Sequence, residues 1–366
     1  MSQLTTLASM TYLAHPASAT HLTFAEAGVV GLIQGITELF PISSLGHAVL
    51  IPALIGGQWA QDLDVSKAES PYLAFIVGLH VATALAMILF FWRDWVRIIR
   101  AFFASVRHVI APEPGTRRWQ PQGTDQTLAW MIILATIPVG IAGLLLEHLF
   151  RTVFSKPLLT SSFLFVNGLI LLAGEARRRR GAADESQQVA MDIQMAAERQ
   201  KASDAAGGSG AIGGRHSSGQ RALKQEQAGL AVEADRRLTG VGFVTAFFLG
   251  AVQILALMPG ISRDGVVMVG GMFRGLSRQD AARFSFLLSA PVIFAAGALK
   301  VSDLTGPLGN GIRGQVLFGS VLAFIGAYLA LRFLVRYLSN ASRTLTPFAI
   351  YCLVVGLGCF IYLSIR

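Results

Sequence analysis

The sequence predicts an all-α polytopic membrane protein: six transmembrane helices plus two re-entrant helical hairpins in inverted-topology repeats. Three observations predict it. Of 366 residues, 53% are hydrophobic and only 14% charged, with a mean hydropathy of +0.56. Apolar runs of about 17 to 23 residues, long enough to cross a hydrocarbon core of roughly 30 Å as helix, recur along nearly the whole chain. Two further apolar stretches are broken by Pro, Gly, Ser and charged residues, and the two breaks resemble each other.

Residues 1–23 carry no Lys or Arg and no continuous apolar core, so they do not read as a cleaved signal peptide. The first membrane repeat, 24–176, opens at Thr23-x-x-Glu26, a capping box. Its broken stretch covers 24–55, and spans follow at 72–92, 128–147 and 160–174. Residues 177–238 begin with Arg177-Arg178-Arg179-Arg180, continue through an Ala/Gln/Glu segment and include Gly207-Gly208-Ser209-Gly210. That composition reads as a solvent-exposed flexible linker carrying at most a short helix. The second repeat, 239–366, has its broken stretch at 240–273 and spans at 282–300, 315–335 and 347–363. Ser277-x-x-Asp280 reads as a second capping box, and Thr346-Pro347 as an N-cap with Pro at the first helical position. Cys352 and Cys359, seven apart on one face of the last span, read as buried structural residues.

Charge orients the repeats. If each hairpin returns to the side it entered, three spans per half force the second half to start on the opposite side from the first. The segments 93–118, 177–238, 274–283 and 332–343 would then share a face, and they hold 23 of the 30 Lys and Arg. The positive-inside rule places that face, linker included, in the cytoplasm and both termini outside. The net charge of +9 therefore reports topology; with no aromatic-interleaved basic patch, it does not indicate nucleic acid.

The broken stretches carry the chemistry. The first reads Gln34-Gly-Ile-Thr-Glu38-Leu-Phe-Pro41-Ile-Ser43-Ser44-Leu-Gly46-His47, and the second Pro259-Gly260-Ile261-Ser262-Arg263-Asp264-Gly265. A carboxylate, an imidazole and a guanidinium in hydrocarbon are costly unless they satisfy one another or a ligand. Gln34 and Glu38 lie one helical turn apart on one face, and Pro41 stops that helix. Ser43 and Ser44 stand at the start of the returning helix, with His47 in its first turn; Ser44 and His47 make a candidate nucleophile and base. In the second stretch Ser262 caps the returning helix and Arg263 sits in its first turn. Two helix N-termini meeting near mid-membrane suit a phosphate, and Arg263 adds a forked donor. Glu38 would repel a phosphate unless a divalent cation, Mg²⁺ or Ca²⁺, lay between them, which points to a pyrophosphate. Competing readings are a purely structural Glu38–Arg263 salt bridge, and for Asp264 either neutralisation of Arg263 or helix capping. His80, Glu147 and His148 read as structural or interfacial.

At these residues the sequence closely resembles the BacA-type undecaprenyl-diphosphate phosphatases, the bacitracin-resistance membrane phosphatases. The marks are a Glu/Gln-x-x-x-Glu helix leading into Pro-x-Ser-Ser-x-Gly-His, and a distal Pro-Gly-x-Ser-Arg-Ser-Gly. Further likeness lies at Gln253-Ile-Leu-Ala-Leu, Phe284-Ser285-Phe286-Leu287-Leu288 and Thr346-Pro-Phe-Ala-Ile-Tyr351. The resemblance implies hydrolysis of undecaprenyl diphosphate, a polyprenyl diphosphate lipid, to undecaprenyl phosphate and inorganic phosphate. It places the protein in the bacterial inner membrane, recycling the lipid carrier of cell-wall synthesis, with the site opening toward the periplasm. It makes Glu38 and Gln34 the cation holders, Ser44 the nucleophile, His47 its acid/base partner and Arg263 the phosphate clamp, with Ser43, Gln253, Gly260 and Ser262 lining the substrate. Gln34 stands where the family often has Glu. Asp264 stands where it usually has Ser, implying either weaker phosphate affinity or an added cation ligand. The alternative function is a polyprenyl-phosphate transporter using the same anion site; the oligomeric state stays open, a homodimer among the options.

Overall fold

The structure, a computed structural model, describes residues 22–63, 71–111, 121–149, 153–154, 156–204, 235–299, 311–340 and 342–366. The expectations for residues 1–21, for the Gly207–Gly210 run and for the side chains of Glu147 and His148 fall outside the described residues. Among the described residues the regular structure is helical, without strands.

The first broken stretch forms α1 (Phe24–Leu39) and α2 (Ser44–Ile55), followed by the short α3 (Gly57–Asp62). The Thr23/Glu26 capping box is formed in both directions. Then come α4 (Pro71–Phe90), α5 (Trp92–Ile110), α6 (Thr124–Leu149) and α7 (Pro157–Asp204). The second broken stretch gives α8 (Gly242–Val252), a 3₁₀ turn (Gln253–Leu257) and α9 (Arg263–Phe273). The chain closes with α10 (Arg278–Leu299), α11 (Arg313–Leu338) and α12 (Thr346–Ile365).

Five of these helices have segments long and apolar enough to cross a membrane: Thr124–Leu146, Pro157–Arg180, Arg278–Leu299, Arg313–Leu338 and Thr346–Ile365. Helix α4 meets α5 at a bend of 85°, either a broken span or a re-entrant loop, so the candidate spans among the described residues number five, or six with this pair. Their outward faces carry large apolar side chains such as Leu145, Leu317, Val354 and Ile365, the arrangement a lipid solvent favours and water does not. The protein is thus a multi-pass membrane protein.

Four details depart from the sequence reading. Residues 93–110, read only as part of the basic segment 93–118 between spans, form α5, because apolar residues there recur at helical spacing among the arginines. The run Arg177–Arg180 does not end the span before it: α7 continues to Asp204, since Ala, Arg, Gln and Glu are strong helix formers and hold a polar helix beyond the membrane. The last helix takes Leu345 as N-cap, one residue before the expected Thr346. At Ser277 only half a capping box forms. Its hydroxyl accepts from Asp280 N at 3.0 Å, while the Asp280 carboxylate accepts from Arg237.

The two halves interlock. Helix α1 packs along α11, and α8 along α6. Both contacts need glycine. A Cβ on Gly31 would lie 2.3 Å from the Gly319 carbonyl oxygen, and one on Gly250 would lie 2.0 Å from that of Ala135. Helix α4 lies against α10 and α11, and α7 against α12, around a core that includes Met87, Phe91, Phe286 and Leu331. Cys352 and Cys359 are buried, free thiols, as expected.

An ionic cluster binds one end of the bundle. The buried Asp235 carboxylate accepts from Arg97 and from Arg283, the latter at 2.6 Å. Arg97 also reaches Asp125 (2.8 Å) and Asp94 (2.9 Å), and Arg283 reaches Asp94 (2.8 Å). Helix α5 is thereby tied to α6, to α10 and to the chain that enters α8.

Candidate functional site

Each hairpin tip is shaped by a proline. Phe40 and Met258 precede Pro41 and Pro259 and take extended backbone (ψ 143° and 118°), the conformation that a following pyrrolidine ring enforces. The returning helices then start on serine caps. Ser43 Oγ accepts from Gly46 N at 3.2 Å, and Ser262 Oγ from Gly265 N at 3.1 Å. Ser43 does so at φ +68°, the one positive φ outside glycine among the described residues, a cost of order 1–3 kcal/mol that surrounding contacts must outweigh.

Those contacts come from the other hairpin. Ser43 Oγ also accepts from Gly260 N at 3.1 Å. Gly260 has φ +110°, and a Cβ there would stand 2.4 Å from the Thr160 carbonyl oxygen, so only glycine fits between α7 and the first hairpin. Asn167, wholly buried in α7, joins both tips: its Nδ2 donates to Pro41 O and its Oδ1 accepts from Ser262 N, each at 2.9 Å. The tips meet, as the sequence predicted.

Glu38 lies at the centre of the junction, 6% exposed. Its Oε1 accepts from Arg263 Nη2, which joins the acidic hairpin to the basic one. Its Oε2 accepts from Ser44 Oγ and from Gln34 Nε2, the latter at 2.8 Å. The second Gln34 amide hydrogen points to His80 Nε2 at 3.3 Å, and His80 Nδ1 donates to Ile76 O at 2.8 Å. His80 Nε2 lies 3.6 Å from Glu38 Oε2.

His47 is held differently from the sequence expectation. Its Nδ1 donates to Ser43 O and its Nε2 accepts from Tyr351 OH, both at 2.7 Å, with the two rings stacked. Ser44 thus donates to Glu38 rather than to His47, although both line one small cavity with Gln34, Ile51 and Tyr72. Gln253 stands at the start of the 3₁₀ turn, fully buried, with neither amide atom hydrogen-bonded among the described residues. Asp264 does not pair with Arg263. Its Oδ1 accepts from Ser285 Oγ (2.7 Å) and Ser289 Oγ (2.6 Å) of α10.

Sequence reasoning missed two members of the site. His80 was read as structural, yet it braces the Gln34–Glu38 pair. Asn167 was passed over, although an asparagine inside the apolar run 160–174 is itself a signal.

The donor set limits which cation fits. Glu38 supplies the one carboxylate, Gln34 has Oε1 left once its amide hydrogens are used, and among the described residues no three His, Cys, Asp or Glu cluster for a metal. Mg²⁺ and Ca²⁺ take six or more oxygens, so these residues suit a cation that brings substrate phosphate oxygens and water with it.

Comparison with known proteins identifies the family. The sequence profile described as "Bacitracin resistance protein BacA" matches residues 27–198 and 220–358. A protein of Mycolicibacterium paratuberculosis named undecaprenyl-diphosphatase is 51% identical, over 94% of this chain and 99% of its own length. One of Mycobacterium avium with the same name is 50% identical over the same shares. The undecaprenyl-diphosphatase 2 of Frankia alni is 49% identical, again over 94% and 99%. Both hairpin motifs and most of both membrane halves lie inside the profile match, and the chain belongs to the bacitracin resistance protein BacA family.

Proposed function

We infer that this protein is an undecaprenyl-diphosphate phosphatase of the bacterial inner membrane. It releases inorganic phosphate and returns undecaprenyl phosphate to cell-wall synthesis. The observation that carries the reading is the Glu38–Arg263 junction: a carboxylate already bonded to a serine hydroxyl, beside a guanidinium at the N-terminus of a capped helix.

The diphosphate would enter between the N-termini of α2 and α9, whose free N–H groups and dipoles favour an anion. Arg263 exchanges its bond to Glu38 for a terminal phosphate oxygen. That exchange frees Glu38 Oε1 while Oε2 keeps the Ser44 hydroxyl. Ser44 Oγ attacks the terminal phosphorus, its proton passing to Glu38; the bridging P–O bond breaks and undecaprenyl phosphate leaves. Water then cleaves the phosphoserine, releasing phosphate and returning the proton to Ser44. His47, poised by Tyr351 and Ser43, is the second acid/base group of the cavity. Ser43, Gly260 and Ser262 shape the anion cradle, and Gln253 offers an amide without hydrogen-bond partners among the described residues. Glu38 and Gln34 would hold a divalent cation, which supplies charge neutralisation for the diphosphate.

The architecture supporting this is a pair of inverted repeats, six spans and two re-entrant hairpins. Exchanging α1, α4 and α6 for α8, α10 and α11 turns the α1–α11 contact into α8–α6 and the α4–α11 contact into α10–α6, and these contacts are all made. The paired close approaches at Gly31 and Gly250 fit the same exchange. The positive-inside bias supports a cytoplasmic linker, and the family resemblance supports a site opening toward the periplasm.

The test is phosphate release from a long-chain isoprenyl diphosphate by purified protein in detergent with Mg²⁺. Chelation should stop it, and Glu38→Ala or Arg263→Ala should abolish it. Release unaffected by both substitutions would overturn the site. No release, alongside lipid movement between leaflets, would assign the protein as a carrier.

A further inference from the structure

Helix α5 carries a surface that phosphate hydrolysis does not use. It leaves the end of α4 at 85°; with α4 crossing the bilayer, it runs nearly parallel to the membrane surface. One face is fixed to the protein. Trp95 and Phe102 pack against the core, the Phe102 and Trp130 rings are 5.4 Å apart, and Trp130 Nε1 donates to Ser105 Oγ at 2.8 Å. Arg97 and Asp94 are taken up by the ionic cluster with Asp125, Asp235 and Arg283.

Among the described residues, no protein packs against the opposite face. Trp92, Val96, Ile99, Phe103 and Ile110 recur at the three- and four-residue spacing of one helical stripe, exposed by 52, 38, 49, 65 and 76%. Beside the stripe run Arg93, Arg100 and Arg107, seven residues apart in one row and all exposed. Arg93 lies over the Trp92 ring at 5.5 Å. None of the three forms an ion pair among the described residues. Asp94, the one acidic residue of α5, is already committed to Arg97 and Arg283.

We propose that this face of α5 is an interfacial docking surface for anionic phospholipids. The Trp92–Ile110 stripe lies among the acyl chains, and Arg93, Arg100 and Arg107 bind headgroup phosphates. An apolar stripe flanked by arginines is the pattern that seats a helix at the headgroup boundary, the long side chains reaching up to the phosphates. Charge complementarity selects the occupant: a neutral leaflet would accept the stripe but leave the arginine row unanswered, whereas each arginine near an anionic surface favours binding roughly fivefold. The inference rests on the membrane reading of α4 and not on the chemistry of the site.

The test uses the full chain with Cys352→Ala and Cys359→Ala, a fluorophore on Phe103→Cys, and reconstitution in phosphatidylcholine vesicles. Nitroxide-labelled phosphatidylglycerol should reach half-quenching at a mole fraction at least about threefold lower than nitroxide-labelled phosphatidylcholine. With Arg93→Gln, Arg100→Gln and Arg107→Gln combined, the two lipids should quench alike, the fluorophore staying buried and phosphate release in neutral vesicles staying unchanged. Equal quenching by both lipids in the parent, or quenching by neither, would overturn the proposal. Phosphate release by the labelled parent reports independently on the active site, so failure of the surface and failure of the enzyme reading are separable.

Discussion

Asn167 offers the sharpest test of how the two hairpins are held in register. Replacing it with Leu keeps the side-chain size and removes both bonds, leaving Ser262 N–H and Pro41 C=O buried without their partners. Each buried group left unsatisfied costs about 1–3 kcal/mol. Pro41 O keeps the Cys352 thiol at 3.9 Å as a weak donor, so the combined loss falls at about 2–4 kcal/mol. Helix α7 retains its own backbone bonds, so the loss falls on the tips, where Ser262 caps the helix that carries Arg263. If about 1.4 kcal/mol of it is felt as misplacement of Arg263 in the transition state, turnover drops tenfold. Asn167→Asp is the companion variant, since it keeps the acceptor for Ser262 N and sets a carboxylate against Pro41 O. Phosphate-release kinetics in detergent, read beside the thermal midpoint, separate the effects: kcat should fall at least tenfold for Asn167→Leu with a smaller change in KM. Activity within twofold of the parent at an unchanged midpoint would refute Asn167 as a positioning residue.

The close approach of α8 to α6 predicts that Gly250→Ala forces the helices apart, because its Cβ would fall 2.0 Å from a backbone oxygen. Overpacking costs about 1–3 kcal/mol even against movable side chains, so a clear drop in thermal midpoint is expected, while Gly140→Ala, with nothing within 4 Å, should leave the midpoint unchanged or raise it. Asp235→Asn removes the shared counter-charge of Arg97 and Arg283. Breaking a buried pair costs about 3–5 kcal/mol; with Asp94 still reaching both arginines and Arg97 31% exposed, about 1–3 kcal/mol of stability should go. An unchanged midpoint would show the cluster to be redundant.

Much of the fold was legible in the sequence because its signals are local. Span length is fixed by bilayer thickness, Pro41 and Pro259 break their helices through a single ring each, and Thr23 and Glu26 cap within one turn. What escaped was set by distant chain. Helix α5 has a regular apolar stripe, but its arginines mask it in a hydropathy average, and the residues it is ion-paired to, Asp235 and Arg283, lie far along the chain. The partner of Ser44 was misjudged for a related reason. Ser44 and His47 are neighbours in sequence, yet the tip carries Ser44 toward Glu38, while His47 finds Tyr351 from the last helix. His80 and Asn167 were legible only as polar residues inside apolar runs; which hairpin atoms they reach is a property of packing.

Asp264 shows how packing also corrects an electrostatic expectation. Beside Arg263 in sequence, and in place of the family's usual Ser, its carboxylate was expected to weaken phosphate binding or to add a cation ligand. In the folded chain Arg263 is paired with Glu38, and Asp264 Oδ1 takes hydroxyl bonds from Ser285 and Ser289, one turn apart on α10. Asp264 is 1% exposed, and its hydrogen bonds run to the α9–α10 contact rather than to the Glu38 junction. Asp264→Ser should therefore keep kcat and the Mg²⁺ requirement within about threefold while changing the thermal midpoint, since hydrogen bonds to a charged group contribute about 1.5–3 kcal/mol each. The sign of that change measures whether the two serine bonds outweigh the cost of burying a carboxylate whose Oδ2 has no hydrogen bond among the described residues. A tenfold tighter inhibition by inorganic phosphate, or a shifted Mg²⁺ dependence, would instead place Asp264 in the substrate site and overturn its assignment to helix packing.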